Sequence, residues 1–242
     1  MDKIIFKLTP WRIFRQIKTL MRRYIAKRKI KNMGLGHLGK HVALGLPSAI
    51  SNPQLVFLHD YVRIHQQNII YNYTGKFIMK EYSCASIGLL VVTGNHKPTV
   101  GIPQFMLGSS HVNDVETDVI VEEDVWIGVR VTLLAGAHIG RGVVIGASSL
   151  VNKEIPPYAV VVGSPARIIA AKFTIEQIIE HEKLIYPENK RFTKEYLESI
   201  FEKYYKDKKT MGITSDLKEV GFYDFMSKQK YKYIHEGLEH TR

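Results

Sequence analysis

One stretch of the sequence carries the residue types that acid–base chemistry needs. The tetrapeptide at 93–96, Thr-Gly-Asn-His, opens it, and a second histidine, His111, follows. A histidine titrates near neutral pH, so His96 could remove the proton of an attacking hydroxyl as a general base. The other interpretation of His96 is a loop histidine without a special role. Three carboxylates could orient such a base, and the sequence does not choose among them: Asp114, Asp118 and Glu123.

The residues around these histidines predict a loop. Residues 94–118 contain three glycines and two prolines, which interrupt helices and strands. A loop of this length beside regular structure is usually functional or disordered. We therefore expect residues 94–118 to be an insertion between more regular parts of the chain.

The part of the chain that must position this loop repeats with a period of six. In residues 121–155 an aliphatic residue opens every six: Val121, Ile127, Leu133, Ile139, Ile145 and Val151. A six-residue period is typical of parallel β-helices, in which each six is a short strand and a bend, and three sixes form one triangular coil. The first-place side chains are expected to stack inside, coil upon coil, at ~4.8 Å.

Weaker sixes precede the loop and predict earlier coils, with slips in the repeat near Pro53 and before Met79. Their first-place residues are Leu38, Leu44, Ile50, Leu58, Ile64, Ile70, Met79, Ala85 and Val91. Terminal coils of a repeat protein are usually irregular, so the poorer pattern is expected here.

The two ends of the chain read as helical. Residues 9–31 have apolar side chains at three- and four-residue steps, with Thr9 as the cap, and residues 1–33 hold eleven Lys and Arg against one Asp, nearly all of the net charge of +11. This helix either buries its apolar stripe over the end of the β-helix or lies on an anionic membrane face. Residues 174–186 and 193–206 predict two further helices, capped by Thr174 and Thr193.

Other features exclude several classes of function. No apolar run is long enough for a membrane span, and the basic N-terminus is unlike a signal peptide, so we expect a cytoplasmic location. The single cysteine, Cys84, excludes an internal disulfide. The glycine motifs of ATP and NAD sites are missing, and no nucleic-acid motif accompanies the positive charge.

Three segments in a set order resemble the hexapeptide-repeat acetyltransferases, and most of all the sugar and capsular-polysaccharide O-acetyltransferases. They are the loop start at 93–96, the turn Val-Trp-Ile-Gly at 125–128 and the closing Gly-Ser-Pro-Ala-Arg-Ile-Ile at 163–169. The resemblance extends over residues 38–170. It implies a left-handed parallel β-helix domain at 34–170, between a basic helical segment at 1–33 and a helical extension at 171–242.

The resemblance also implies a reaction and its residues. Acetyl-CoA would donate an acetyl group to a sugar hydroxyl of a bacterial surface polysaccharide or its precursor, with His96 as base and Asn95 at the acceptor. Trp126 would pack beside the reactive centre, Gly128 would leave room for backbone contact with the cofactor, and the Ala147 amide would meet the pantetheine. Asn152, Lys153 and Arg167 would meet the nucleotide phosphates, although relatives often have Thr where Asn152 stands. The family's cofactor lies between two subunits of a trimer, so an isolated monomer is expected to be inactive.

Three alternatives remain open at this point. The acceptor could be the amine of an amino sugar or of a nucleotide-linked sugar, which would make the reaction N-acetylation. The chain could be a metal-binding β-helix with three histidine ligands: His96, His111 and His138. It could also be a trimeric scaffold without catalytic activity.

Overall fold

The structure is a computed structural model that describes residues 10–223. Four α-helices are α1 Pro10–Lys31, α2 Gln104–Ser110, α3 Ile175–Ile185 and α4 Lys194–Ile200, with short 3₁₀ turns at Pro53–Leu55 and Glu188–Lys190 and a π-helical turn at Phe201–Tyr205. The strands are β1 His37–Leu38, β2 Ala43–Leu44, β3 Ser48–Ile50, β4 Val56–Leu58, β5 Arg63–Ile64, β6 Asn68–Tyr71, β7 Phe77–Met79, β8 Cys84–Ala85, β9 Leu90–Val92, β10 Gly94–His96, β11 Asp114–Glu116, β12 Val119–Val121, β13 Trp126–Ile127, β14 Thr132–Leu133, β15 His138–Ile139, β16 Val144–Ile145, β17 Leu150–Val151, β18 Ala159–Val162 and β19 Arg167–Ala171.

These strands form a triangular β-solenoid of about six coils, as in a left-handed β-helix. Sheet A contains β1, β4, β7, β12 and β15; sheet B contains β2, β5, β8, β13, β16, β18 and β19; sheet C contains β3, β6, β9, β14 and β17. All the neighbours in these sheets are parallel except β18 and β19. The predicted fold class is therefore confirmed.

The predicted first-place residues stack across the coils in the expected register. Leu58 pairs with Met79, which pairs with Val121, and Val121 pairs with Ile139 on sheet A. The first-place residues from Leu58 to Val151 are all nearly inaccessible, and only the first coil is partly open. Continuous aliphatic stacks inside the solenoid therefore supply its hydrophobic core.

The solenoid has three edges, named here after the sheets that they join. The chain runs from sheet A to B to C within each coil. The BC edge includes residues 128–131 and 146–149. The CA edge includes residues 134–137 and 152–154, and the 93–118 segment also leaves the solenoid at this edge.

Close stacking of neighbouring coils explains why position 128 is a glycine. A Cβ added there would lie 2.7 Å from the backbone nitrogen of Ala147 and 2.8 Å from the carbonyl oxygen of Ile145. Gly128 is buried, so the space beside its Cα is filled by the backbone of the next coil. The absence of a side chain lets the coil that carries Ala147 pack against the coil before it.

Replacing Gly128 with alanine is expected to lower the free energy of unfolding by about 1–3 kcal/mol, because backbone of the next coil must move to admit the methyl group. Denaturant unfolding followed by circular dichroism measures this. Gly108→Ala is the matched control, since nothing lies within 4 Å of a Cβ at that helical position. Equal stability of the two variants would contradict the packing role of Gly128.

The C-terminal helices pack against the last coils through a buried polar cluster. The Tyr158 hydroxyl donates to Glu182 Oε1 of α3 at 3.0 Å, and Arg141 donates to the same oxygen at 3.1 Å. Thr174 caps α3 in a capping box with Gln177, and Thr193 caps α4. Both predicted helices and both predicted caps are confirmed.

The apolar stripe of α1 does not cover the end of the solenoid. Trp11 is 73% exposed and Met21 59%, while Ile30, near the end of the helix, is buried in the core. The expectation that this stripe is buried over the first coil is therefore wrong, because the helix contacts the core near its C-terminal end. The predicted cap Thr9 lies outside the described residues. Among residues 10–223, none of the helices is long and apolar enough to span a bilayer.

Candidate active site

The inserted segment forms a hairpin that projects from the CA edge. Strand β10 pairs with β11 in antiparallel register, so that His96 lies opposite Asp114 and Asn95 opposite Val115. Helix α2 lies within the 17 residues between the two strands. The sequence predicts the insertion, and the hairpin register determines which acid meets the histidine.

Glu116 anchors the base of this hairpin to the preceding coil. Its carboxylate accepts hydrogen bonds from Thr93 Oγ1 at 2.7 Å and from the Gly75 amide at 2.9 Å. Burial opposes its ionisation, but these hydrogen bonds outweigh burial and lower the pKa of Glu116. A Cβ at Gly94 would lie 2.6 Å from the Glu116 carboxylate, so a larger residue here would displace that carboxylate from its hydrogen bonds. The hairpin therefore starts from a rigid base.

His96 and Asp114 form a hydrogen-bonded pair at the outer part of the hairpin. His96 Nδ1 lies 2.6 Å from Asp114 Oδ1. The hydrogen bond with His96, followed by the one with His111, lowers the pKa of the Asp114 carboxyl. An ionised carboxylate only accepts hydrogen bonds, so the hydrogen of the neutral His96 ring belongs on Nδ1 and Nε2 remains the proton acceptor. Nearly half of the His96 side chain is exposed, so a substrate can reach it.

The other two candidate carboxylates are engaged elsewhere. Asp118 accepts a hydrogen bond from the Lys76 amide at 2.8 Å. Glu123 forms an ion pair with Arg141. Asp114 is therefore the carboxylate that orients His96, a choice that the sequence left open.

His111 joins the pair, and sequence reasoning missed this partnership. Its Nδ1 lies 2.7 Å from Asp114 Oδ2, so each carboxylate oxygen contacts one histidine. The three-residue spacing between His111 and Asp114 was the available signal, because it matches a single turn. His138, the third histidine of the metal-binding alternative, contacts Glu122 instead.

His96, His111 and Asp114 could hold a metal ion by their chemistry. Ligands at 2.0–2.2 Å from one tetrahedral zinc ion lie roughly 3 Å or more from each other. The two nitrogen–oxygen distances of 2.6 and 2.7 Å are those of charge-assisted hydrogen bonds. This geometry fits a group of side chains that transfers protons. The three histidines of the metal-binding alternative do not come together, because His138 contacts Glu122.

A groove beside this group has room for a substrate. It encloses about 530 Å³ next to Asp114. The lining residues are Lys97, Pro98, Thr99, Val100, Asn113, Asp114 and Val115. Asp114 lines this groove, whereas His96 and the predicted acceptor contact Asn95 are exposed on β10 and do not line it.

The residues expected at the cofactor fall on two edges of the solenoid. Asn152 and Lys153 follow β17 on the CA edge, two strands of sheet C beyond β9 and thus about 10 Å along the axis from the hairpin. Sheet B and its BC edge carry the other four: Trp126, Gly128, Ala147 and Arg167. Within one chain, His96 and Lys153 therefore lie on the same edge, whereas the width of sheet C separates His96 from Trp126.

Sheet B and its BC edge carry three of the residues expected at the cofactor in exposed positions. Trp126 is 54% exposed on the outer face of sheet B, and Arg167 is exposed. The exposed Ala147 donates its amide to no backbone carbonyl in the described part of the chain. Sheet B and the BC edge therefore present an aromatic ring, a cation and a solvent-facing backbone amide on the surface.

Comparison with known proteins identifies the repeat and its homologues. Residues 118–153 match the family model for bacterial transferase hexapeptide, six repeats. A chloramphenicol acetyltransferase of Klebsiella aerogenes is 48% identical over 59 residues, which are 24% of this chain and 28% of that protein. A putative lipopolysaccharide biosynthesis O-acetyl transferase of Escherichia coli, WbbJ, is 49% identical over 51 residues, 21% of this chain and 26% of the relative. Both alignments thus span less than a third of the relative.

A solved structure agrees over a larger part of the fold. It is a hexapeptide-repeat acetyltransferase of Vibrio cholerae complexed with acetyl coenzyme A. The TM-score is 0.53 with 24% identity, and the match covers 62% of this chain and 76% of the other. At this identity the match supports the solenoid fold.

Proposed function

Since this chain is a homologue of the hexapeptide-repeat acetyltransferases, we propose that it transfers an acetyl group from acetyl-CoA to a sugar hydroxyl. The acceptor would belong to a bacterial surface polysaccharide or its precursor, as the similarity to a putative lipopolysaccharide O-acetyl transferase suggests. The observation that carries the proposal is the exposed His96–Asp114 pair, whose carboxylate residue borders an open groove.

The chemistry assigned to this pair is general base catalysis. His96 Nε2 takes the proton of the acceptor hydroxyl while the hydroxyl oxygen attacks the thioester carbonyl carbon. Asp114 stabilises the imidazolium that forms, as a buried carboxylate does in a catalytic triad. When the carbon–sulfur bond breaks, His96 returns the proton to the departing sulfur. The products are the O-acetyl ester and the free thiol of CoA.

The cofactor assignments rest on the two edges of the solenoid. Acetyl-CoA supplies the acetyl thioester. Trp126 packs beside its reactive end, and the Ala147 amide donates to the pantetheine arm, with Gly128 acting through the close approach of the Ala147 coil. The phosphate contacts come from three exposed residues: Asn152, Lys153 and Arg167. A backbone amide of a neighbouring coil would stabilise the oxyanion.

A homotrimer would bring the separated residues together. The CA edge of one subunit, with His96 and Lys153, would face sheet B and the BC edge of the next subunit, with Trp126 and Ala147. A cyclic trimer repeats this heterologous contact three times and closes. The separation of the two residue sets within one chain supports this arrangement.

The function is tested with purified full-length protein, acetyl-CoA and a panel of methyl glycosides and amino sugars. Release of free thiol reports turnover, and mass spectrometry of the product locates the acetyl group. We expect an O-acetyl ester. An N-acetyl product would replace this proposal with the amino-sugar alternative, and failure to bind CoA would favour a non-catalytic scaffold.

We also propose that helix α1 binds the surface of an anionic membrane, where a lipid-linked acceptor would be found. Its exposed apolar side chains include Trp11, Phe14, Ile17 and Met21. Helix α1 carries nine Lys and Arg and no acid. Two copies of such a helix repel each other, whereas anionic headgroups attract it while the apolar stripe enters the interface.

Full-length protein is expected to bind vesicles that contain phosphatidylglycerol and not to bind vesicles made of phosphatidylcholine alone. Replacing Trp11 and Met21 with serine should weaken binding more than tenfold, because burying each side chain contributes roughly 1.5–3 kcal/mol. Co-sedimentation measures the binding. Met211→Ser with Val220→Ser is the control, since these side chains are also exposed but lie far along the chain.

Two results would contradict membrane contact through α1. One is equal binding to both kinds of vesicle. The other is a change in oligomeric state in the Trp11 and Met21 variant, measured by light scattering, which would show that the stripe contacts another copy of the chain.

A further inference from the structure

The carboxylate of Asp114 is held at both of its oxygens. Oδ1 contacts His96 Nδ1 at 2.6 Å, and Oδ2 contacts His111 Nδ1 at 2.7 Å. The Asp114 side chain is 17% exposed at the outer part of a hairpin. With only one histidine, it could rotate and exchange its hydrogen bonds with water.

His111 is itself fixed by the residues around it. It ends helix α2 in a left-handed conformation with φ 54°, and its amide donates to the carbonyl of Leu107 at 3.0 Å. Leu107 is fully buried and ties α2 to the protein. The Tyr73 ring lies 4.9 Å from the His111 ring, centre to centre, which restricts it further. A segment outside the hairpin strands thus aims one hydrogen bond at Asp114.

The two histidines are not equivalent in this arrangement. His96 lies on β10 directly opposite Asp114 and next to Asn95, whereas His111 lies in the connection between the strands. The two rings are 5.8 Å apart, so both share the carboxylate without stacking on each other. His96 thus contacts Asp114 across the paired strands, whereas His111 contacts it from the connecting segment.

We propose that His111 is a positioning residue that holds Asp114 on Nδ1 of His96, so that Nε2 of His96 stays free to accept a proton. The inference rests on the acetyl transfer proposed above and adds a residue to it. Partners of this kind, one step removed from the reacting group, typically change activity by about 10–100-fold.

The test replaces His111 with alanine, asparagine and glutamine. His111→Ala should lower kcat about 10–100-fold with little change in KM. His111→Asn should retain activity within about threefold, because its amide nitrogen can donate from nearly the place of Nδ1 and Asn tolerates the left-handed backbone. His111→Gln places its amide further out and should behave like alanine.

Backbone strain at this position needs its own control. Alanine in the left-handed region costs roughly 1–2 kcal/mol. Asp207 also has a left-handed backbone, with φ 61°, just after the π-helical turn. Asp207→Ala therefore introduces the same kind of strain and should leave kcat unchanged. Thermal unfolding of both variants shows whether the His111→Ala protein is folded at the assay temperature.

A double-mutant cycle separates positioning from a general structural role. If His111 acts through Asp114, the variant with both His111→Ala and Asp114→Ala should be no slower than Asp114→Ala alone. Additive losses would overturn the proposal. A second pattern would also overturn it: His111→Asn is as slow as His111→Ala, and His96→Ala keeps nearly full activity. His111 would then be the base itself.

Crystal structures of the His111→Ala and His111→Asn proteins give a readout independent of activity. The Asp114–His96 hydrogen bond should persist with asparagine and be lost or lengthened with alanine. If wild-type protein transfers no acetyl group, the proposed function fails and these structures still decide the role of His111. An unchanged hydrogen bond in the alanine variant would refute it.

Discussion

Replacing His96 with alanine is expected to lower kcat/KM for acetyl transfer by about 10²–10⁴-fold, the range for loss of a general base. A sugar hydroxyl is a weak nucleophile until its proton is removed, and the contact of Nδ1 with Asp114 leaves Nε2 of the exposed His96 ring as the proton acceptor. His111 is similarly exposed and shares the carboxylate, so the His111 variants in the same assay show whether it is the base instead. Thiol release from acetyl-CoA with the best acceptor of the glycan panel measures the loss.

His59→Ala is the matched control for this prediction. His59 also contacts a carboxylate, with Nδ1 3.4 Å from Glu81 Oε1, but it follows β4 on the edge that joins sheets A and B, outside the CA and BC edges of the proposed site. Acetyl-CoA binding, measured by calorimetry, should be nearly the same in the wild type and in both variants. A His96→Ala protein with the full rate of an active wild type would disprove the mechanism.

Mixing two inactive variants should restore activity if the site lies between subunits. One variant is His96→Ala, on the CA edge. The other carries Trp126→Ala and Arg167→Ala, both exposed residues of sheet B. In trimers formed at random from equal amounts, a site is intact when both of its contributing edges are wild type. This occurs for about a quarter of the sites, so co-expression should recover about a quarter of wild-type activity.

The control for complementation is co-expression of two variants of the same edge, His96→Ala and Lys153→Ala. Such trimers hold no site with an intact CA edge and should remain impaired. If His96 and Trp126 served the same site within one chain, the first mixture would stay inactive as well, and the trimer proposal would be rejected.

Much of the solenoid could be read from local periodicity. Even the weak sixes before the loop have the expected partners, since Ile64 pairs with Ala85 and Ile70 with Val91. The predicted slip near Pro53 corresponds to the 3₁₀ turn at Pro53–Leu55. A period of six in apolar residues specifies which side chains face inward, and that requirement is local to each coil.

The outcome for α1 shows the limit of such patterns. Spacing of apolar residues predicted the helix correctly, but the same stripe fits a buried and an exposed position equally well. The contact of Ile30 with the core directs the preceding turns away from the solenoid, which leaves Trp11 exposed. Amphipathic spacing reports that a face is apolar and does not report what covers it.

The sequence by itself determined the coils, their inward residues, the capped C-terminal helices and the histidine-bearing insertion, because each depends on neighbours within a few residues. Only the tertiary structure decided that Asp114 pairs with His96, that His111 holds the same carboxylate, and that the expected cofactor residues occupy two separate edges. Asp114 lies 18 residues from His96. Which acid reaches the base follows from the register of an antiparallel hairpin, and register is a property of paired strands that no single segment encodes.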